Sequence, residues 1–492
     1  MNGPRRVDLR AIARKAMEQY GFEPRFSRAV LAEVDAIDPG SPPGLHLRAR
    51  DLTSLLWSSI DNWDSEDLDQ LEHCEERPDG RVRVRVAIAD VDRFVPPGSA
   101  TDRHAAGNGT SVYTGVETFP MLPDRLSKGI SSLLPGEERM AIVMEYDVLP
   151  DGSTESRTVY PSRVLNHARL VYEEVGAWLE GTSPVPEAVV RVPGLEEQVR
   201  LQHRTTRRMR EHRRASGALD LQTIEAEPVL EGETVRDLVP VEMNEARFLI
   251  EELMIGANRT LVAFLESARV PMIERVVRVP KYWDGIVELA ARHRFSLPAE
   301  PDVRALAAFL DERQRADPAR FPDLSLAVIK LLGPGEYVRL SPGGEPEGHF
   351  GLALSDYTHA TAPNRRYVDI VNQRAVKAVL SRSRPPHTPH DLDEIAGHLS
   401  DREKAAKKVE RFVRKAAAAV LLGHRIGEEF EGLITGASPK GTWVRIVSPP
   451  TEGRVTAGET GLSVGDRVRV RLVSTDPYRG FIDFECIRRE TW

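Results

Sequence analysis

Six carboxylates fall within twelve residues of this 492-residue chain: Asp61, Asp64, Glu66, Asp67, Asp69 and Glu72, in the segment SIDNWDSEDLDQLE. The apolar run Leu55–Ile60 precedes it, and Arg81–Ala89 follows as RVRVRVAIA, the period-two alternation of a strand. Pro78-Asp79-Gly80 supplies the turn into that strand. The acidic stretch is therefore a connection at the end of a sheet. So many like charges on one connection repel each other unless cations or hydrogen-bond donors neutralise them. Three readings arise: a solvated turn, a calcium loop, and a Mg²⁺ site for phosphoryl chemistry. Glu66 stands where a twelve-residue calcium loop needs glycine, and strands flank the loop, so that reading falls. The other two stay open on this segment alone.

A second anomaly lies at Arg365-Arg366, directly after Pro363-Asn364. Proline and the apolar spacing of Val368, Ile370 and Val371 predict a helix start there. Two arginines in a first turn oppose the helix dipole, and a broken local rule often marks function. They would suit a phosphate held by free N–H groups and guanidinium forks. The competing reading has both side chains turned outward into salt bridges, Asp369 being one partner.

The remaining chain divides three ways. Residues 1–48 read as two helices. VDLRAIARKAMEQY stops at Gly21, and PRFSRAVLAEVDAI starts at Pro24 and breaks at Asp38-Pro39-Gly40. That pair allows a helix-turn-helix or a plain helical cap. After Ser41-Pro42-Pro43-Gly44 come strands, including a pair over 139–149 and 156–164. Helices are predicted over 186–214, 240–269, 279–294, 302–315, 364–381 and 391–424. Residues 427–492 carry short strands punctuated by glycine, the pattern of a five-stranded OB-type barrel.

Composition sets limits. Hydrophobic residues make up 41% of the chain, which fits globular domains and excludes overall disorder. Two cysteines, Cys74 and Cys486, cannot make a disulfide framework or a cysteine zinc site, and they suit a reducing cytoplasm without a disulfide-linked partner. No apolar run reaches the ~18 residues of a membrane span. The opening MNGPRRVDLRAIARK lacks the apolar core of a signal peptide. The net charge of −8 argues against generic polyanion binding, so nucleic acid would need local basic patches. Two exist: 200–214 has seven arginines against one glutamate, and 401–426 has eight basic residues against three acids. In the barrel, Phe430, Trp443, Tyr478, Phe481 and Phe484 offer stacking platforms, some of which must be core.

These segments together resemble the ribonuclease II family, whose catalytic unit is the RNB domain. The likeness runs through SIDNWDSEDLDQ, FPMLPDRLSKGISSL, ARLVYEEV, GALDL, IEELMIGAN, HFGLAL and YTHATAPNRRYVDIVNQR, in that order. The resemblance implies an α+β fold. It would comprise a catalytic domain over 49–425 with a mixed sheet surrounded by helices, the barrel over 427–492, and the helical unit over 1–48. It implies a processive, hydrolytic 3′→5′ exoribonuclease acting on single-stranded RNA, monomeric, with Mg²⁺ or Mn²⁺ as cofactor and nucleoside 5′-monophosphates as products. Asp61, Asp67 and Asp69 would belong to the metal and catalytic set, with Asp69 closest to the attacking water. Gln70 stands where the family usually has a fourth aspartate; its oxygen can ligate but brings no charge. Arg365 would clamp the scissile phosphate, with Arg366 beside it on the RNA. Tyr172 would stack on bases near the 3′ end, Tyr113 would fix the terminal nucleotide, Glu251 would read a ribose hydroxyl, and Glu410 would lie near the RNA end. The family commonly begins with two cold-shock OB domains, and the helical unit here is too short to be one. It would guide RNA, or leave the entry more open to structured substrates with a 3′ overhang. Alternatives are an RNA-binding protein on a partly degenerate nuclease scaffold, supported by Gln70 alone, and a nuclease accepting both RNA and DNA. More distant is a transcription-factor-like role for the N-terminal helices.

Overall fold

The computed structural model describes residues 7–42, 47–222, 225–232, 234–241, 243–318 and 320–490. The expected opening Met1–Arg6 and the break at Pro43-Gly44 lie outside them. Helix α1 (Leu9–Gln19) is capped by Asp8, whose carboxylate accepts from the Ala11 N–H at 2.9 Å. Helix α2 (Arg28–Asp35) begins after Ser27, which caps Val30, and not at Pro24 as the proline suggested. A serine that satisfies an orphan N–H outranks a proline placed three residues earlier.

Eight strands follow: β1 (Arg50–Asp51), β2 (Trp57–Asp61), β3 (Gln70–Glu76), β4 (Val82–Ala89), β5 (Val112–Tyr113), β6 (Thr118–Phe119), β7 (Glu138–Val148) and β8 (Thr154–Val171). The main sheet runs β1-β8-β2-β3-β4-β7. The 18 residues of β8 pair antiparallel with β7 early and parallel with β2 late, so the sheet curls back on itself. The alternation in β4 is explained by its two faces. Val82, Val84, Val86 and Ile88 enter the core, while Arg83 and Arg85 sit opposite Asp147 and Glu145 on β7 and pair with them at 2.9 Å.

Helices cover both faces. They are α3 (Ala100–Asn108), α4 (Tyr172–Leu179), α5 (Glu187–Val190), α6 (Leu195–Ala215), α7 (Glu245–Ser267), α8 (Trp283–Arg292), α9 (Val303–Ala316), α10 (Phe321–Leu332), α11 (Tyr367–Ser381) and α12 (Pro389–Leu422). One core packs α6 and α7 on the sheet; another packs α11 and α12 on its opposite face. Helices α8, α9 and α10 form their own apolar cluster around Phe309 and Phe321. Helix α10, with Pro322 in its first turn, is missing from the sequence reading. So is the hairpin β9 (Glu225–Glu231) and β10 (Thr234–Val241); α7 therefore begins at Glu245 behind an Asn244 cap, not at 240. Strands β11 (Met272–Val276) and β12 (Glu336–Leu340) pair antiparallel.

Strands β13 (Glu429–Ser438), β14 (Gly441–Ile446), β15 (Thr451–Ala457), β16 (Arg467–Asp476) and β17 (Phe481–Arg489) close a five-stranded barrel in the order β13-β14-β15-β17-β16. Phe430 and Phe484 fill it, whereas Tyr478 and Phe481 are exposed. The 34 residues of α12 extend about 50 Å at 1.5 Å per residue, joining the two bodies. Its Ala418, Ala419 and Leu422 belong to the barrel's core cluster.

The arginine-rich α6 departs from the expected basic surface. Arg213 is clamped by both oxygens of the buried Glu252, Arg210 and Arg214 share Asp220, and Arg200 pairs with Glu196. Glu252 comes from a distant segment, and Glu196 and Asp220 lie just outside the 200–214 stretch, so the local charge count overstated its field. Among the described residues no helix is long and apolar enough to cross a membrane, and both cysteines are free.

Gly256 on α7 lies against the buried Tyr146 ring, where an added Cβ would come within 2.5 Å of Cζ. The tyrosine hydroxyl is fixed on the Leu253 carbonyl at 3.1 Å. Gly256→Ala should therefore lower stability by about 1–3 kcal/mol despite a helix-propensity gain of about 1 kcal/mol, read by denaturant unfolding.

Candidate active site

The acidic loop is aimed by one buried leucine. Leu68 is sealed in the core; its N–H bonds the Ser132 hydroxyl at 3.0 Å, and its carbonyl accepts from the Leu133 N–H at 3.0 Å. Ser132 also donates to the Glu66 carbonyl at 2.7 Å. With Leu68 turned inward, Asp67 and Asp69 on either side of it turn toward the opposite recess. Asp69, only 4% exposed, accepts from the Asn364 backbone N–H at 3.0 Å. The Asn364 side chain in turn accepts from Ser131 at 2.7 Å. Adjacent serines thus hold both the acidic loop and the segment carrying Arg365.

Burial is the largest influence on all three aspartates. It pushes Asp61 up to about 6, against the hydrogen bond from Gln70. Asp67 is also raised by burial, opposed by the positive charges of Arg365 and Lys128. Asp69 is raised well above the usual carboxylate range by burial and then by Asp67. Gln70 turns its amide N–H toward Asp61 Oδ1 at 3.1 Å, while Asp61 Oδ2 is buried without a partner. Glu72, fully buried on β3, leaves both carboxyl oxygens unpartnered; burial and then Asp61 raise it strongly.

Strand β5 brings Tyr113 to the same recess. The segment 109–113 lies along 365–367: the Arg365 carbonyl accepts from the Ser111 N–H at 2.9 Å, and Gly109 accepts from the Tyr367 N–H at 3.0 Å. Tyr113 stays 42% exposed, yet its hydroxyl is raised by crowding and then by Asp67 and Asp69, with Arg365 opposing. Its N–H bonds Glu410 on α12 at 3.3 Å. Tyr172, first residue of α4, lies under the Arg247 guanidinium at 4.5 Å, and its hydroxyl is raised by burial, then Asp61 and Glu72. Arg247 also bonds the Asn62 side chain at 3.1 Å, and Arg169 holds the carbonyls of Asn62 and Trp63.

The structure therefore gathers Asp61, Asp67, Asp69, Gln70, Tyr113, Tyr172 and Arg365, with Glu410 tied to the Tyr113 backbone. Glu251 stands apart. It lines a cavity of about 230 Å³ with Arg210, Arg213 and Phe248, and burial raises its carboxyl. Arg366 departs from the paired-arginine reading. Helix α11 begins at Tyr367, so both arginines precede the first turn, and Arg366 is its extended N-cap at φ −135°. Its guanidinium is committed to Asp369 at 2.8–2.9 Å and to Thr361 at 3.3 Å. The helix rule is not broken, because the first turn carries an acid, Asp369. Arg365 alone is exposed toward the carboxylates. Sequence reasoning missed Lys128, Asn364, Ser131 and Ser132 as contributors, although LSKGISSL and APNRR contained them; only the folded loops show what they hold.

The donor set is all oxygen, with one orphaned Asp61 oxygen and three carboxyls whose ionisation burial opposes. That fits a hard divalent cation. Among the described residues no three Asp, Glu, His or Cys side chains form a ready metal cage.

Comparison with known proteins identifies the family. The RNB domain family matches residues 49–382, and the RNase II-type exonuclease C-terminal S1 domain matches residues 428–486. Ribonuclease R of Aquifex aeolicus is 29% identical over 96% of this chain and 70% of its own. Ribonuclease R of Thermotoga maritima is 30% identical over 94% and 68%. Against another ribonuclease R, from Vibrio parahaemolyticus, the chain spans 56% of the relative's length. The solved structure of Mycoplasma genitalium RNase R in complex with ribose methylated single-stranded RNA superposes with a TM-score of 0.86 at 23% identity, over 98% of this chain and 78% of that one, a likeness of fold. The chain belongs to the RNB-domain family of RNase II-type exoribonucleases.

Proposed function

We propose that this chain is a processive 3′→5′ exoribonuclease that hydrolyses single-stranded RNA to nucleoside 5′-monophosphates, with Mg²⁺ as cofactor. One observation carries the reading: Asp61, Asp67 and Asp69 share a recess with Arg365 and Tyr113, two groups suited to a phosphate and a terminal nucleotide. Bound Mg²⁺ would supply a polarised water and neutralise charge on the phosphorane-like transition state. Asp61, Asp67 and Asp69 would hold it, with the Gln70 carboxamide beside them.

The chain's own groups do the rest. Arg365 presents a fixed positive charge to the scissile phosphate, and removal of one such group costs about 10²–10³ in rate. Asp69, fixed by the Asn364 N–H, orients the water. Tyr113 and Tyr172 stack on bases without reading sequence. Glu251, which stands outside the recess, would have to meet a ribose elsewhere along the strand to favour RNA over DNA. Arg366 braces Arg365 through Asp369 and need not touch RNA itself. Glu410 holds the Tyr113 backbone near the RNA end. The Mycoplasma relative's bound single strand supports RNA as the partner. A cytoplasmic setting suits the two unpaired cysteines.

Incubating a 3′-tailed RNA and its DNA counterpart with protein and Mg²⁺ tests this. Mononucleotides should leave the RNA, and Asp69→Asn should slow release at least ~10²-fold while RNA binding persists. No release by the parent protein, or equal release by the variant, refutes it.

The raised Asp61 gives a second outcome. Its ionised form is the ligand, so Mg²⁺ affinity rises with pH as the group deprotonates near 6. The increase in Tm produced by Mg²⁺ should be small at pH 5 and grow as the pH rises through 6, with Asp69, also raised, extending the rise to higher pH. A shift independent of pH over that range counts against Asp61 as a ligand.

A further inference from the structure

Helix α1 packs behind the tyrosine that faces the recess. Strand β5 turns Tyr113 toward Asp67, Asp69 and Arg365, while its neighbour Val112 faces the other way. Val112, Val116 and Phe119 of the β5–β6 hairpin pack with Leu9, Ile12, Ala16 and Met17 of α1, and this cluster continues onto Val409 and Val413 of α12. The hairpin turn is tightly built: the Thr114 hydroxyl donates to the Glu117 carbonyl at 2.6 Å and accepts from its N–H at 3.0 Å. From that turn, Glu117 Oε1 accepts from Arg14 Nη2 at 3.0 Å and Nε at 3.3 Å, while its Oε2 is buried without another partner. Past the end of α1, Asn108 exchanges two hydrogen bonds with the Glu23 backbone at 2.9 and 3.0 Å. Asn108 directly precedes the segment that lies along Arg365. Arg402 of α12 bonds the Gly21 carbonyl at 2.8 Å and lies 4.9 Å from the Phe22 ring.

We infer that α1 is the rear wall of the terminal-nucleotide clamp, not an RNA reader, and that Arg14 and Glu117 are positioning residues acting through the hairpin on Tyr113. This rests on the exoribonuclease reading for its consequence but not for its geometry. Arg14 links α1 to the turn that fixes where β5 can sit, so its loss leaves half-buried Glu117 uncompensated and loosens the hairpin. The terminal base then loses its fixed stack while the rest of the RNA path is unchanged. Arg10 and Lys15, exposed on the outer side of α1, are the residues an RNA-reading helix would need.

The test uses the full chain with Arg14→Ala, Arg14→Lys, Glu117→Gln and the pair Arg10→Ala/Lys15→Ala. RNA bearing 2-aminopurine as its 3′-terminal base reports stacking by quenching, measured in EDTA so that no turnover is needed. Quenching should fall at least twofold in Arg14→Ala and Glu117→Gln, recover partly in Arg14→Lys, and stay unchanged in the outer-face pair. With Mg²⁺, kcat should fall three- to tenfold with KM within about twofold, and the residual oligonucleotide should lengthen. Unchanged quenching in Arg14→Ala and Glu117→Gln overturns the inference. So does a rise in KM with kcat intact, shared by the outer-face pair, because that is the mark of an RNA reader. A parent protein that quenches the probe but releases no nucleotide defeats the activity reading and leaves the positioning result standing.

Discussion

Three carboxylates crowded at one end of a sheet constrain everything around them. Like charges in a partly dry recess repel, and burial opposes the ionisation of each. The fold supplies few compensating donors directly. Instead it spends rigid backbone on the arrangement: Leu68 plugs the core, Ser132 holds the loop, and the Asn364 N–H meets Asp69. The deficit of positive charge that remains suits a divalent cation. Pre-organised charge of this kind is costly to the empty protein and useful only when the missing partner arrives.

The same economy appears in the two neighbouring arginines. Arg366 is consumed by Asp369 and Thr361, and that pairing fixes the chain just before α11. Arg365, one residue earlier, is thereby presented outward on a stiff support, its carbonyl tied to Ser111. A flexible cation near carboxylates would fold onto them as a surface ion pair. A cation whose backbone is held at both ends can remain open for a third party. Adjacent residues of one type thus have opposite duties, and only the position of the helix start separates them.

That separation marks the limit of what the chain's text discloses. The acidic connection, the β4 alternation, the order of segments and the barrel were legible because each rests on local pattern: charge density, period two, or glycine-spaced strands. The recess membership of Asp61, Asp67, Asp69, Arg365, Tyr113 and Tyr172 came through family likeness, not through spacing. The helix start at Tyr367 was misplaced because proline and apolar periodicity compete with a side-chain ion pair formed only after folding. The basic face of α6 was overestimated because Glu252 and Glu245 lie in a later segment that no local window includes, and Asp220 lies just past the basic stretch. Helix α10 and the β9–β10 hairpin escaped for a related reason: prolines punctuate them, and tertiary packing overrules the punctuation.

Gln70 shows how the two levels meet. From sequence it is a lost charge, and a lost ligand charge weakens a cation site. In the structure its amide N–H donates to Asp61, so it relieves repulsion at that buried carboxylate while leaving an oxygen on the other side of the amide. Two residues along the same face of β3, Glu72 adds a carboxyl that is fully buried and unpartnered, with Asp61 among the influences on it. A fourth aspartate at position 70 would place yet another like charge beside that pair. The carboxamide is the residue that keeps the oxygen count while limiting the charge, and Glu72 makes such a limit necessary. With Glu72 buried beside Asp61, a carboxamide at 70 avoids a further acid in the same corner of this chain.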